Sequence, residues 1–318
     1  MRIIKPSIEI LPQENNLFGI YRQIERAGRT CYKSEDKITD DSAEKFVSML
    51  INRGHTAMLE HGTIYLFTDH NTASNYYHNK YSIVNKHYDT NISKYKESYI
   101  TTNYRVIVEN GWLDDLEYIC KPTQFHEKRI SVKFITDRGI SHELVRHRVF
   151  SYAQESTRYV SYNKEKHGAT CTFIIPEWIK DLPEGSYNIL EDNYIIELPK
   201  TNDEDETIMT FQSFIDKYGG GVFAWLNGIQ ETEVRYMELT NFGWQAQQAR
   251  NILPNSLKTE IIMTGFESDW KGLIMETMNP ISGENVAIKK GFKFLRTDIT
   301  AHPQMRELAI PLCETLGL

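Results

Sequence analysis

The 318-residue chain has only four cysteines, Cys31, Cys120, Cys171 and Cys313. They lie far apart and form no CxxC, so neither a disulfide framework nor a cysteine-ligated zinc site is indicated. No apolar run approaches the roughly 18 residues of a membrane span. Met1 to Pro6 lacks the apolar core of a secretory signal, and the expectation is a cytoplasmic chain with reduced thiols and no membrane contact. Basic residues are also in deficit: net charge is −7 and the pI about 5.8. A nucleic-acid binder whose whole surface is the footprint needs the opposite balance, so no nucleic-acid partner is expected. Repeats and domain-separating linkers are missing, which predicts one domain over 1–318. Gly219-Gly220-Gly221 is not a phosphate loop, because no strand precedes it and no GKS or GKT follows. His55, Glu60 and His61 lack the HExxH spacing that puts ligands on one helix face. A loop whose imidazole and carboxylate make hydrogen bonds is the better reading there, and no metal is expected.

Against that acidic background one stretch stands out. Arg146-His147-Arg148-Val149-Phe150-Ser151-Tyr152-Ala153-Gln154-Glu155-Ser156-Thr157-Arg158-Tyr159 holds three arginines and a histidine with a single acid among them. A guanidinium is always charged and presents a rigid fork of donors that matches phosphate. Several together repel unless anions arrive, so the stretch reads as a site for one or two phosphorylated ligands. The alternative is a solvated basic patch. Such a patch would more naturally be lysine-rich and free of interleaved Phe150, Tyr152 and Tyr159.

Periodicity supplies the surroundings. Strands are expected at 8–11, 63–67, 106–108, 132–135, 157–162, 171–175 and 256–263. Leu17, Ile20, Ile24 and Ala27 predict a helix ending near Gly28. Asp41 and Glu44 have the spacing of a capping box before a second helix, with Gly54 beyond its end. Residues 68–104 are rich in tyrosine without sustained period and read as an irregular or partly helical excursion. Asp137-Arg138-Gly139 reads as a turn. Ser141 is then the N-cap of a helix carrying Glu143 in its first turn, with Glu143, Arg146 and His147 on one side. Residues 178–206 read as an acidic loop whose Asp203–Glu206 run starts a helix. Ile208, Phe211, Phe214 and Ile215 share a helical face, another helix covers 222–240, 279–291 reads as a loop, and Pro303 opens the last helix.

Arg146-His147-Arg148 followed after seven residues by Ser156 resembles the signature of the flavin-dependent thymidylate synthases. Other segments agree in the same order. They are Gly28-Arg29-Thr30-Cys31-Tyr32, Gly54-His55 to Glu60-His61, Ser141 to Val145, Gln248-Ala249-Arg250 to Leu253-Pro254, Lys258-Thr259-Glu260, Leu295-Arg296 and His302 to Arg306. The resemblance implies an α+β single domain with a mainly antiparallel sheet flanked by helices and variable excursions at 68–104, 178–206 and 271–291. It implies a homotetramer with active sites shared between subunits. The ligands would be FAD, deoxyuridylate (dUMP), methylenetetrahydrofolate and NADPH, and the reaction the reductive methylation of uracil C5 to give thymidylate.

By position, the resemblance puts Cys31, His55, Arg146, His147 and Arg148 at FAD. It puts Glu143, Arg146, Gln154, Glu155, Ser156, Thr157, Arg158 and Arg250 at the nucleotide. Arg296 would lie against the uracil and polarise it, since a fixed guanidinium stabilises developing negative charge without proton transfer. Ser156 would donate to phosphate rather than act as a nucleophile. The chain departs from the family pattern at Gln154, usually Glu, and at Ala57, often Ser or Thr. It has Phe266 and Ser268 where Asn and Arg usually contact flavin, though Asp269-Trp270 is kept. Two other readings stand beside this one. A relative could transfer hydroxymethyl to the pyrimidine, or a non-catalytic nucleotide- or RNA-binding protein could use the aromatic 68–104 segment.

Overall fold

The computed structural model describes residues 1–89, 94–162, 170–179, 181–200, 208–278, 281 and 285–318. Its centre is a four-stranded antiparallel sheet ordered Ser7–Ile10, Arg129–Asp137, Lys258–Phe266, Ser151–Gln154. The 258–266 strand is buried almost end to end because both faces are covered. Ile261 and Met263 point into a cluster with Trp270, Phe292 and the helix Pro303–Thr315. Ile262 points the other way, toward Ala27 of the helix Leu17–Tyr32. That is the period-2 alternation of a strand with helices on both sides. Fully burying a side chain such as Ile261 or Met263 contributes about 1.5–3 kcal/mol.

Two further layers flank this sheet. Helices Leu17–Tyr32 and Ser42–Asn52 share a core with the antiparallel sheet Thr63–Thr68, Lys94–Asn103, Ile83–Asp89. A separate core gathers helices Phe211–Tyr218 and Gly220–Asn241 with short strands. One of these pairings, Arg2–Ile4 with Thr172–Ile174, is parallel. The whole is α+β and mainly antiparallel, as expected. Among the described residues no helix is long and apolar enough to cross a membrane.

Several local expectations are corrected. Residues 106–108 lie in the helix Tyr104–Asn110, not a strand. Asn103 caps it by accepting from the Val106 N–H, and Gly111 closes it at φ 71°, so the caps override three β-branched residues. The 68–104 excursion holds two paired strands, 83–89 and 94–103. Beside Tyr99 and Ile100, the 94–103 strand buries Ser98, Thr101, Thr102 and Asn103, polar types that mimic a surface in sequence. The 157–162 stretch is turn and coil. Ile208 belongs to the strand Ile208–Thr210. The capping box at Asp41 does not form, because its carboxylate accepts from the Thr39 hydroxyl instead. Gly28 does not end its helix, which runs on to Tyr32. A Cβ at Gly28 would sit 2.6 Å from the Phe46 ring, so that glycine serves packing against the second helix. The acidic run 203–206 lies outside the described residues.

Residues 279–291, read as a loop, contribute the strand Asn285–Lys290, which pairs antiparallel with Leu273–Met278 in a hairpin. Gly272 and Gly291 pinch its base at φ 71° and 91°. A Cβ on Gly291 would lie 2.2 Å from the Gly272 Cα, so neither position admits a side chain.

Candidate active site

Asp137, not Ser141, caps the helix Arg138–Leu144, accepting from the Ile140 N–H at 2.7 Å. The helix therefore starts earlier than expected and ends before the Arg146-His147-Arg148 motif, and Glu143 lies in its last turn. The motif occupies tight turns instead: Arg146 N–H donates to Glu143 O and His147 N–H to Leu144 O. The Tyr152 hydroxyl lies 2.7 and 2.6 Å from the carbonyls of Leu144 and His147 and pins the turn to the strand 151–154. A loop held this tightly between a helix and a sheet can aim side chains at a ligand.

Arg296 ends the short helix Phe292–Arg296 and meets this turn from across the chain. Its Nε donates to His147 Nε2 at 2.7 Å, its Nη1 to Glu143 Oε2 at 2.6 Å and its Nη2 to the Glu143 carbonyl at 2.7 Å. An imidazole nitrogen that accepts from a guanidinium carries no proton, so His147 is the neutral Nδ1–H tautomer. Burial, then the Arg296 charge, pushes its pKa down to about 4. Five donors less three leave two N–H groups of Arg296 uncommitted among the described residues. Arg146 and Arg148 are exposed beside it, and no carboxylate among the described residues pairs with either.

A second cluster forms at the other end of the segment. Arg138 donates to the Glu155 carbonyl at 3.1 Å, to Thr259 Oγ1 at 3.0 Å and to Thr157 Oγ1 at 3.2 Å. Arg250 reaches the same Thr157 hydroxyl at 3.3 Å. Arg138, His142, Thr157 and Arg250 line a cavity of about 290 Å³. Two guanidinium groups and an imidazole around one opening suit an anion. Ser156 N–H donates to the Cys31 carbonyl, and Arg158 lies exposed over the Tyr159 ring. Gln154 points into the protein, its amide donating to Ser141 Oγ and Thr259 Oγ1. Glu155 is buried and ion-paired with Lys258 at 3.0 Å, which makes it a support for the loop.

Arg296 and Arg250 thus touch opposite ends of the Arg146–Arg158 segment, as the sequence reading requires. Cys31 reaches it only through its backbone. Its thiol is 3.8 Å from Met58 Sδ, and burial pushes its pKa up to about 11. His55 is exposed, and no hydrogen bond among the described residues ties it to the segment. Sequence reasoning missed Arg138 by taking 137–139 as a turn; Asp137 as an N-cap was the available signal. It also gave no role to Arg129. That guanidinium lies 5.5 Å from the Phe266 ring and donates to the Glu60 carbonyl at 3.0 Å. Phe266 is therefore engaged by a cation where the family pattern has a polar side chain. Lys289, on the strand Asn285–Lys290, pairs with Asp298 at 3.1 Å. His61 is fully buried, with Nδ1 2.8 Å from Thr264 Oγ1, and Thr264 Oγ1 is 2.7 Å from Ser131 Oγ. This chain stitches the 56–61 turn to the central sheet.

The α+β scaffold thus brings guanidinium groups from four separate segments to the two ends of the 146–158 stretch. Residues 88–271 match the family of thymidylate synthase complementing proteins, and the chain belongs to that family. The flavin-dependent thymidylate synthase of Mycolicibacterium vanbaalenii is 24% identical over 302 residues, 93% of this chain and 82% of that protein. The enzyme of the same name from Pyrococcus furiosus is 32% identical over 127 residues, 40% of this chain and 36% of that protein. In that second match the chain spans about a third of the relative's length. Among solved structures, the UMP/dUMP methylase PolB from Streptomyces cacaoi, bound with 5-Br UMP, aligns with a TM-score of 0.39 at 11% identity. That alignment covers 100% of this chain and 91% of the other.

Proposed function

We propose that the chain is a flavin-dependent thymidylate synthase that methylates dUMP, with methylenetetrahydrofolate as carbon donor and NADPH as reductant through FAD. The carrying observation is Arg296, held by Glu143 and His147 beside the Arg146-His147-Arg148 turn with two donors uncommitted among the described residues. Exposed Arg146 and Arg148, with which no carboxylate among the described residues pairs, fit the pyrophosphate of a dinucleotide such as FAD. Bound flavin would supply the redox chemistry. The chain's own work is to seat the nucleotide phosphate among Arg138, Arg158, Arg250 and the Ser156 and Thr157 hydroxyls. It must also hold the Arg296 donors against the uracil carbonyls, where negative charge grows as the ring is attacked. No protein nucleophile is called for in this reading. Purified protein given dUMP and all three other reactants should form thymidylate and show flavin absorbance. Colourless protein that forms none after added FAD would remove the proposal.

Two predictions belong here. Arg158→Ala raises KM for dUMP with a much smaller change in kcat, because a phosphate contact is made equally in ground and transition states. Steady-state kinetics reads the split, and an unchanged KM would displace the phosphate from this loop. The assembly in this reading is a homotetramer whose sites combine the Arg296 cluster of one subunit with the Arg158 loop of another. Inactive Arg296→Ala and weakened Arg158→Ala proteins, unfolded together and co-refolded, then recover activity beyond that of either alone. No recovery in mixed tetramers argues for sites built within one chain.

A further inference from the structure

The helix Arg138–Leu144 carries both ends of the site. Arg138, its first residue, lines the cavity shared with Thr157 and Arg250, and Glu143, near its end, holds Arg296. At the helical rise per residue the two lie about 8 Å apart along one axis. Whatever fixes the start of this helix therefore sets both. That start is Asp137, the last residue of the strand Arg129–Asp137, whose Oδ1 accepts from the Ile140 N–H at 2.7 Å. Its other oxygen, Oδ2, accepts from the side-chain amide of Gln304.

Gln304 is far from this helix in sequence and sits in the first turn of the final helix, Pro303–Thr315. The next residue, Met305, is fully buried in a core shared with Ile140 and Leu144, so the amide is delivered from a rigid base. Asp137 and Gln304 are both buried. A carboxylate can only accept, so the amide meets it with its NH2. Among the described residues no lysine or arginine pairs with Asp137: Arg138 is spent on Glu155, Thr157 and Thr259, and Lys258, the cross-strand neighbour of Asp137, on Glu155 and Glu260. Glu143 and His302 line the same cavity as Asp137 and Gln304. Burial pushes the Asp137 carboxyl above its usual range, opposed by the Ile140 N–H and by His302. An ionised carboxylate in such a place depends on the few donors it has.

We propose that Gln304 is a positioning residue for the reaction: by holding the Asp137 carboxylate in its capping orientation, it keeps Arg138 on the nucleotide phosphate and Glu143 on Arg296. The role rests on the thymidylate synthase reading for the identity of the nucleotide. It differs from the roles of Arg158 and Arg296, each of which serves one end of the site. Loss of the Gln304 amide disturbs both ends at once, so kcat falls and KM for dUMP rises together.

The test compares Gln304→Leu and Gln304→Glu with wild type by calorimetric titration of dUMP and by steady-state kinetics, from about pH 6 to about pH 9 to span a raised carboxyl pKa. Gln304→Leu should lower kcat/KM by about tenfold or more at every pH, with both kcat and dUMP affinity affected. Gln304→Glu sets a second carboxyl against Asp137. Two buried carboxyls in contact resist ionising together, and the pair keeps one proton well above the ordinary carboxylate range. While that proton is shared, the introduced acid donates to Asp137 as the amide did. As pH rises the proton is lost, the charges repel and the cap is pushed aside. Relative to wild type at the same pH, Gln304→Glu should be near normal at the acid end and approach Gln304→Leu at the alkaline end. Mere packing by Gln304 gives no such response, since the two side chains have the same shape. If Gln304→Leu does not fold, the pH response of Gln304→Glu decides alone. A Gln304→Glu protein that matches wild type at every pH, or is as impaired at the acid end as at the alkaline end, overturns the proposal, as does a loss confined to kcat or to dUMP affinity. Wild type that binds no dUMP overturns it together with the function. In a protein that binds dUMP yet forms no thymidylate, the same pH response in dUMP affinity upholds the positioning role and sinks the activity.

Discussion

Arg296→Ala lowers kcat for thymidylate formation by about 10²–10³-fold, while dUMP binding weakens much less. The geometry gives the reason. Three acceptors, the Glu143 carboxylate, the Glu143 carbonyl and His147 Nε2, fix the guanidinium plane before any ligand arrives. Donors oriented in advance need no reorganisation when charge appears on the pyrimidine ring, and their effect is concentrated in the transition state. Arg296→Lys should fail almost as badly, because an ammonium cannot reproduce the fork that all three acceptors grip. Equal losses in kcat and in nucleotide affinity would place Arg296 in ground-state binding instead. His147→Ala removes one of the three acceptors and should lower kcat less, and His147→Gln, which restores an acceptor oxygen, should recover part of it.

The same clamp sets an acid limit. His147 has its pKa pushed down to about 4 by burial and then by Arg296, and His61 to about 3 by burial and then by Arg129. A free histidine titrates near 6.5. Between those values the unfolded chain binds protons that the folded chain refuses. The stability these groups allow is present above about pH 6.5 and is lost as pH falls toward 4 and 3. Melting temperature should therefore drop steadily below pH 6, and in Arg296→Ala the part due to His147 should shrink. A His147 that titrates normally by NMR would contradict the clamp.

How much of this was legible in the sequence follows from the physics of each signal. The 146–159 stretch announced itself because clustered guanidinium groups in an acidic chain lack a structural excuse. The central strands 129–137 and 258–266 were visible as apolar runs, though their ends were not. Arg138 was hidden because Asp-Arg-Gly reads equally well as a turn and as a cap with the first helical residues. Only the helix that follows, packed by Ile140 and Leu144, decides between them. The 83–103 hairpin was hidden because threonine, serine and asparagine take most of its buried positions beside Tyr99 and Ile100. The 273–290 hairpin was hidden because turn formers dominated the reading over the strands on either side. Pairing across long sequence distance, as between Arg296 and His147, leaves no local trace.

The largest effect on stability should come from Lys258, a residue that chemistry-first reading passes over. Its ammonium lies 3.0 Å from Glu155 and 2.5 Å from Glu260, and all three side chains are nearly buried. Lys133 also meets Glu260 at 2.5 Å, and Lys33 completes the ring from the end of the first helix. Burial alone would raise the Glu260 pKa, but Lys258, Lys33 and Lys133 together hold it well below the usual carboxylate range. Lys258→Met leaves Glu155 without its cation in a dry site, and breaking a buried pair from one side costs about 3–5 kcal/mol. For a chain this size that is a large share of the total stability, and a denaturant midpoint reads it directly. Activity should fall with it, because Glu155 carries the backbone carbonyl that Arg138 grips beside Thr157. The double variant Lys258→Met with Glu155→Leu removes both charges and should recover much of the lost stability, yet not the activity, if the pair's purpose is to set the loop. Recovery of both would mean that packing alone positions the loop, and recovery of neither would mean that Glu260 is the partner that matters.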